Sequence, residues 1–466
     1  MTTPAKSSPC SSRRQASVAL LAVGFVSLLT AASTRGETAP EISWAVQAGG
    51  AKHDKTRGLC TDAAGNIYMT GEFGATATFG DFTVETKGDL DFFVAKYSPA
   101  GKCLWVRTAG GAKIDRGYGV AVDAQGNVFA TGHCQSTNAS FDGATMPNHG
   151  DYDLFVVKYD ANGKLLWLRS GGGAGYDFGH SIGVDKAGNC YFTGSFIGNC
   201  EFAGTTVTNT RGGHALLGKL TPAGDLAWLR VPHGPGSSVG GHLAVDADGN
   251  TVVAGSVASV ETFGDITLTN KGGREVCAVK YDTGGKALWA FKGDGSTNAM
   301  FASVAFDGHG EVCLSGMFQG ALKLGGKTIE SHGANDLLVA KLDAHGKLRW
   351  FHSGGGKGID YALCIAADAT GNCYATGEFT GAASIAGTAV TALGTRDLYV
   401  AKFDDSGALH WLRTAGGDRG SLAYCVALDR RGSIFISGAF DGTANYDKSK
   451  LTSKGSNDIL LLKLGQ

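Results

Sequence analysis

Proline is scarce in this sequence, eight residues among 466, and methionine scarcer still at five. Neither charge sign forms a block. The 41 basic and 42 acidic residues are interspersed, which argues against a nucleic-acid partner and against an anionic membrane surface. The cysteines make no C-x-x-C pair, no vicinal pair and no metal-type spacing. No helical period runs through residues 37–466. One apolar run, Val18 to Leu29, follows Lys6, Arg13 and Arg14 and precedes the small residues Ala31, Ala32 and Ser33. It is short for a membrane span and predicts a secretory signal over residues 1–36, removed on export to the periplasm, cell surface or medium. Removal takes four basic residues and no acid, moving the formal charge from −1 to −5 and leaving ten cysteines.

What the chain has in excess is glycine, 73 residues, placed at fixed phase between aromatic and β-branched runs. That placement marks turns rather than disorder. The phase is set by tryptophan. Trp44, Trp105, Trp167, Trp228, Trp289, Trp350 and Trp411 are separated by 61, 62, 61, 61, 61 and 61 residues. A fixed period of this size is the signature of a repeat array. Each unit carries an aspartate closing a first strand, at Asp62, Asp123, Asp185, Asp246, Asp307, Asp368 and Asp429, and a glycine three residues later. D-x-x-G is a tight hairpin signal. A second strand follows, such as Ile67–Phe73, then a third such as Asp91–Lys96 with a lysine in every unit, then the tryptophan strand. Between strands two and three lies an excursion with its own recurring apolar residue, Phe79, Phe141, Phe202, Phe263, Leu324, Ile385 and Tyr446, which reads as an extra hairpin.

Four-stranded units repeated radially make a propeller. The chain stops after Lys463 without a fourth strand, while Glu41–Gln47 is a fourth strand with no unit before it. The expectation is an all-β, seven-bladed β-propeller over residues 37–466, closed by the N-terminal strand completing the last blade.

The pattern D-x-x-G-N-x-Y-x-T-G-x-F, present as Asp62 to Phe73, and D-x-x-V-A-K, present as Asp336 to Lys341, resembles the SBBP β-propeller repeat proteins of bacteria. The resemblance spans residues 40–466 in seven copies, with departures at Ala254, Ser315 and Ser437 for the threonine and at His214 for the third-strand aspartate. It implies an exported propeller, often part of large surface proteins, and no defined reaction.

A residue present in all seven copies reads as architecture, so the tryptophans are expected to pack between blades, the turn aspartates to cap their turns and the lysines to pair between blades. Differences between copies are more informative. Eight residues before the turn aspartate, four units carry Asp54, Asp115, Asp177 and Asp360, where the others have Ser238, Ala299 and Ser421. This loop opens on the same face as the excursions, so function is expected on that loop-rich face, with these four aspartates as binding-face candidates and a weak Ca²⁺ candidate. His53, His149, His180, His214, His233 and His242 share no repeat phase and read as surface residues. Cys190 and Cys373 align with Ile67, and Cys134 with Phe73; they read either as small buried hydrophobes or as disulfide formers, with Cys190 and Cys200 the leading pair.

The leading function is a non-enzymatic, monomeric propeller that binds a protein or surface polysaccharide through the loop-rich face, with no cofactor. A second reading is an enzyme. The stretch Tyr281 to Trp289 resembles the tryptophan docking motif of quinoprotein dehydrogenases, and Asp115 and Asp360 are candidates for opposed carboxylates. A third is a structural spacer of the cell envelope.

Overall fold

The computed structural model describes residues 37–295 and 298–465; the expected signal, residues 1–36, lies outside them. Among the described residues the regular structure is all strand, and no helix is long and apolar enough to cross a membrane.

The first unit shows the local logic. Lys55–Thr61, Ile67–Phe73, Asp91–Tyr97 and Cys103–Gly110 pair in order as an antiparallel sheet, with Leu59 opposite Met69, Met69 opposite Ala95 and Ala95 opposite Val106. The turn between the first two strands is built by its aspartate. Asp62 Oδ1 accepts the amides of Ala64 and Asn66, while Oδ2 accepts Asn66 Nδ2 at 2.7 Å and the Tyr68 hydroxyl at 2.9 Å. Gly65 closes it at φ 83°, a conformation costly for any residue with a Cβ. Ile67–Phe73 is buried at every position, and so are Val128–Cys134, Cys373–Phe379 and Ile434–Phe440. Strands covered on both faces show continuous apolar runs rather than alternation.

The covers are the neighbouring units. The buried side chains form seven clusters, each drawn from two units. Phe92 and Val94 pack with Phe155 and Val157, and Phe435, Ile459 and Leu461 of the last unit pack with Met69 and Phe93 of the first. Trp105 Nε1 donates to the Ala161 carbonyl at 3.2 Å and Trp289 Nε1 to that of Ala344 at 3.0 Å, each on the second turn of the following unit. Lys96 and Lys158 reach to the same turns, at the carbonyls of Ala161 and Pro222.

The excursion is a hairpin, Thr76–Phe79 and Phe82–Glu85 in the first unit, anchored by the fully buried Phe79. Its partner is not its own sheet. It pairs with the end of the preceding tryptophan strand, Gly49 opposite Thr78 and Gly50 opposite Ala77. The same overlap recurs at Gly110 with Ser140, Gly171 with Phe202, Gly355 with Ser384 and Gly416 with Asn445. It shrinks to single bridges at His233 with Thr262 and Asp294 with Lys323. The N-terminal strand Ile42–Gly50 pairs antiparallel with Asp458–Leu464, Trp44 opposite Lys463 and Ala48 opposite Ile459.

The disulfide differs from the expected pair. Cys190 and Cys200 lie on one strand, Cys190–Phe202, where ten residues span roughly 30 Å, and both thiols are free and buried. The bridge is Cys313–Cys373, with Cα atoms 6.4 Å apart, joining the second strands of the fifth and sixth units.

Candidate functional site

The four aspartates expected on the binding face are turned inward. Asp54, Asp115, Asp177 and Asp360 are 0% exposed. Each uses one carboxylate oxygen on the glycine amide four residues earlier, Gly50, Gly111, Gly173 and Gly356, at 2.7–2.8 Å. Asp54, Asp115 and Asp360 also accept amides at the exit of the second strand, from Gly74, Gln135 and Thr380. They staple the glycine loop to the sheet and present no free ligand face. The physical reason is local: a glycine-rich loop folding back over a strand end leaves amides that a short buried carboxylate satisfies. Committed to these amides, they belong to no metal-like cluster among the described residues.

The candidate site is elsewhere, at the mouth of a cavity bordered by the first strands of all seven units. Gly58, Gly119, Ser181, His242, Ser303, Cys364 and Cys425, each four residues before its turn aspartate, line a space of about 160 Å³. Towards the loop-bearing side its rim is charged. The Arg57 guanidinium grips Glu72 with two bonds of 2.7 Å, and Glu72 is 0% exposed. Arg116 Nε stands 3.9 Å and His53 Nε2 3.7 Å from the same carboxylate. Lys55 lies 4.0 Å from the centre of the Tyr424 ring, Arg57 lies 4.6 Å from that of Tyr118, and Arg396 pairs with Glu378 at 3.1 Å.

These environments move protonation in predictable directions. Burial would raise the Glu72 carboxyl, but the Arg57 charge and the bonds from His53 and Arg57 carry it down to about 2. Burial, with Arg57 beside it, lowers Lys55 to about 8. Burial also holds His180 and His242 near 4, and His133 well below the usual histidine range. Within the cavity, Cys425 donates to the Arg57 carbonyl at 3.1 Å, and the adjacent Cys425 thiol lowers that of Cys364 below the usual cysteine range.

An aromatic shelf continues the rim. His133 touches Tyr118, Tyr152 and Phe178 with ring centres 5.1, 4.9 and 4.6 Å away. Tyr152 stacks on Tyr176 at 5.7 Å, and Tyr176 on Phe178 at 6.0 Å. Three of the histidines expected at the surface are therefore not simple surface groups. His180 and His242 belong to this central region and His214 is 4% exposed beside Glu261, whereas His149 and His233 are exposed.

The opposite mouth is acidic, ringed by Asp62, Asp123, Asp185 and Asp246, but each of those carboxylates is committed to its own turn. One acidic cluster in the described residues has metal-like spacing: Asp307, His309, Glu311 and Asp405, with ligand atoms within 4.8 Å of one another. The Lys341 ammonium already fills it, 2.7 Å from Asp307, 3.2 Å from Glu311 and 2.6 Å from Asp405. The fifth unit has Glu311 and Cys313 where the first has Asn66 and Tyr68, and the buried lysine replaces the lost cap. Trp289, in the stretch resembling a quinoprotein docking motif, is spent on the Ala344 carbonyl.

The rim was visible in the sequence through another comparison. Five and seven residues before the turn aspartate, and between the glycine and phenylalanine of T-G-x-F, the copies diverge most. There the first and second units place Arg57, Lys55, Glu72, Tyr118, Arg116 and His133, while the fifth places Ala302, Met300 and Met317.

No protein-family profile matches the chain. It is similar to an uncharacterized WD repeat-containing protein of Acanthamoeba polyphaga mimivirus, 24% identical over 339 residues, which is 57% of this chain and 24% of that protein. It is also similar to the regulatory protein FlaEY of Caulobacter vibrioides, 28% identical over 140 residues, 29% of this chain and 15% of that protein. The chain thus spans about a quarter or less of the curated relatives it matches. Among solved structures, the WD40 propeller domain of Doa1 aligns over 91% of this chain and 97% of that domain, with a TM-score of 0.45 at 10% identity. The strand pattern and the WD-repeat relative agree on the class: the chain is a β-propeller repeat protein.

Proposed function

We propose that the chain is an exported, SBBP-type propeller of seven blades closed into a ring, acting as a monomer that binds a partner through its loop-bearing face without turning it over. Two observations support the ring: the pairing of Ile42–Gly50 with Asp458–Leu464, and the packing of last-unit Phe435 and Ile459 on first-unit Phe93. The observation that carries the binding face is the distribution of exposed large hydrophobic residues. Tyr176, Ile359 and Leu393 sit on connections of that side and Ile197 on the hairpin extension of the Cys190–Phe202 strand, all 40–75% exposed, and Leu104, Leu166 and Leu288 on tryptophan strands account for the rest among the described residues. Exposed apolar groups gathered on one face mark an interaction surface.

The test is retention of the chain from residue 37 onward on panels of immobilised polysaccharides and of proteins from the same envelope. Tyr176→Ala and Leu393→Asp should abolish retention, Leu288→Asp should leave it intact, and no product should be released. Retention indifferent to the loop-face substitutions, or turnover of a retained polysaccharide, overturns the reading.

A further inference from the structure

The charges at the rim do not balance. Arg57, at 2.7 Å, and Arg116, at 3.9 Å, share the single carboxylate of Glu72, and Arg396 holds Glu378, so with Lys55 four cations face two carboxylates. This excess of positive charge stands in a protein whose formal net charge is −1. Arg116 Nε is buried and has no hydrogen-bond partner. Its cross-strand neighbour His133 is 2% exposed, and both ring nitrogens are without partners. Cations in excess of carboxylates in a partly desolvated mouth favour an anion, because attraction there is screened far less than at an open surface. The guanidinium of Arg116 offers the fork that suits a carboxylate.

The shelf adds a second requirement. The Tyr176 ring lies 30° from that of Tyr152 and 22° from that of Phe178, and Tyr176 is 44% exposed. His133 and Tyr118 connect the shelf to the cations through continuous ring contacts. A ligand serving both parts has a flat face with apolar C–H groups and an anionic edge. A pyranose bearing a carboxylate has both. An acidic peptide would match the cations but leave the shelf without a flat partner.

We propose that this mouth binds an acidic saccharide containing uronic acid residues, with a carboxylate on Lys55 and Arg116 and a sugar ring on Tyr176. This rests on the loop-bearing face being the binding face. The test is calorimetric titration of the chain from residue 37 onward with oligogalacturonate, a neutral gluco-oligosaccharide of equal length and a short polyglutamate. Oligogalacturonate should bind, the neutral oligosaccharide at least about tenfold more weakly, and the affinity should fall with salt. Arg116→Gln and Lys55→Met, each checked for an unchanged melting profile, should each weaken binding about tenfold. Arg430→Gln, at the opposite mouth, should not. Equal binding of the neutral sugar, preference for polyglutamate, indifference to both substitutions, or no binding of oligogalacturonate overturns the proposal. If another probe binds and Tyr176→Ala removes it, the binding face stands and only the acidic sugar falls.

Discussion

Asp91 and Asp115 come from successive units and flank the same glycine: a Cβ placed on Gly110 would lie 2.5 Å from Asp91 Oδ1 and 3.0 Å from Asp115 Oδ2. Asp115 commits its oxygens to Gly111, Gln135 and Ser136, whereas Asp91 Oδ1 is buried without a hydrogen bond. Burial, reinforced by the neighbouring Asp115 charge, pushes the Asp91 carboxyl up to about 7. Asp153 beside Asp177 and Asp458 beside Asp54 repeat the arrangement, with Asp177 pushed to about 7 and Asp54 to about 6, in both cases first by burial.

The consequence for pH follows from the sign. A carboxyl that binds its proton more tightly when folded contributes stability that is complete below about pH 4 and lost as pH rises through 6 to 7. The buried His133, His180 and His242 act oppositely, losing stabilisation as pH falls below the ordinary histidine range. The informative measurement is therefore a difference. Asp91→Asn should gain stability relative to the parent by about 1–3 kcal/mol between pH 5 and pH 8. Denaturant midpoints of the two proteins across that range check it, and a constant offset would contradict a protonated Asp91.

Trp289 lies on Gly346 of the next unit, where a Cβ would come within 2.7 Å of the indole and the backbone has φ 82°. Gly346→Ala should cost about 1–3 kcal/mol, from strain at positive φ and from the clash. Trp289→Ala should cost about 3–5 kcal/mol. Because the alanine at 346 meets no ring in the double variant, the two losses should be less than additive in a double-mutant cycle. Full additivity would show that ring and glycine are not in contact.

Deleting residues 37–48 removes the strand that covers Asp458–Leu464. Stability should fall by several kcal/mol, on the order of three or four buried large side chains, and the bared edge should favour association. Melting together with sedimentation velocity measures both. A truncated chain that melts like its parent and remains monomeric would contradict the observed pairing.

The period, the turn chemistry and the hairpin anchor at Phe79 were all legible in the sequence, because they depend on contacts within one unit or repeat in phase with it. Three features were not. Asp54 and its counterparts look like solvated loop acids until the amides they satisfy are located, twenty residues away at Gly74 for Asp54. The hairpin's partner lies in the preceding unit, and nothing local distinguishes that edge from its own. Cys313 and Cys373 occupy positions one residue out of phase, at the places of Tyr68 and Ile67, so a comparison at fixed phase separates them. The charged rim is legible by the converse route: its residues vary between copies at fixed phase, as Lys55, Arg57 and Glu72 of the first unit do against Met300, Ala302 and Met317 of the fifth.

Each hairpin reaches over its predecessor, by a strand overlap in five copies and by a single bridge in two, as tiles overlap on a slope. A duplicated or lost copy therefore keeps the overlap intact only if the cut falls at the same phase on both sides, which confines growth of the array to whole periods. Length can vary without penalty only where a copy touches no neighbour's edge. The single interval of 62 residues obeys this rule: its extra residue falls in the link between Cys134 and Phe141, ahead of the overlapping strand.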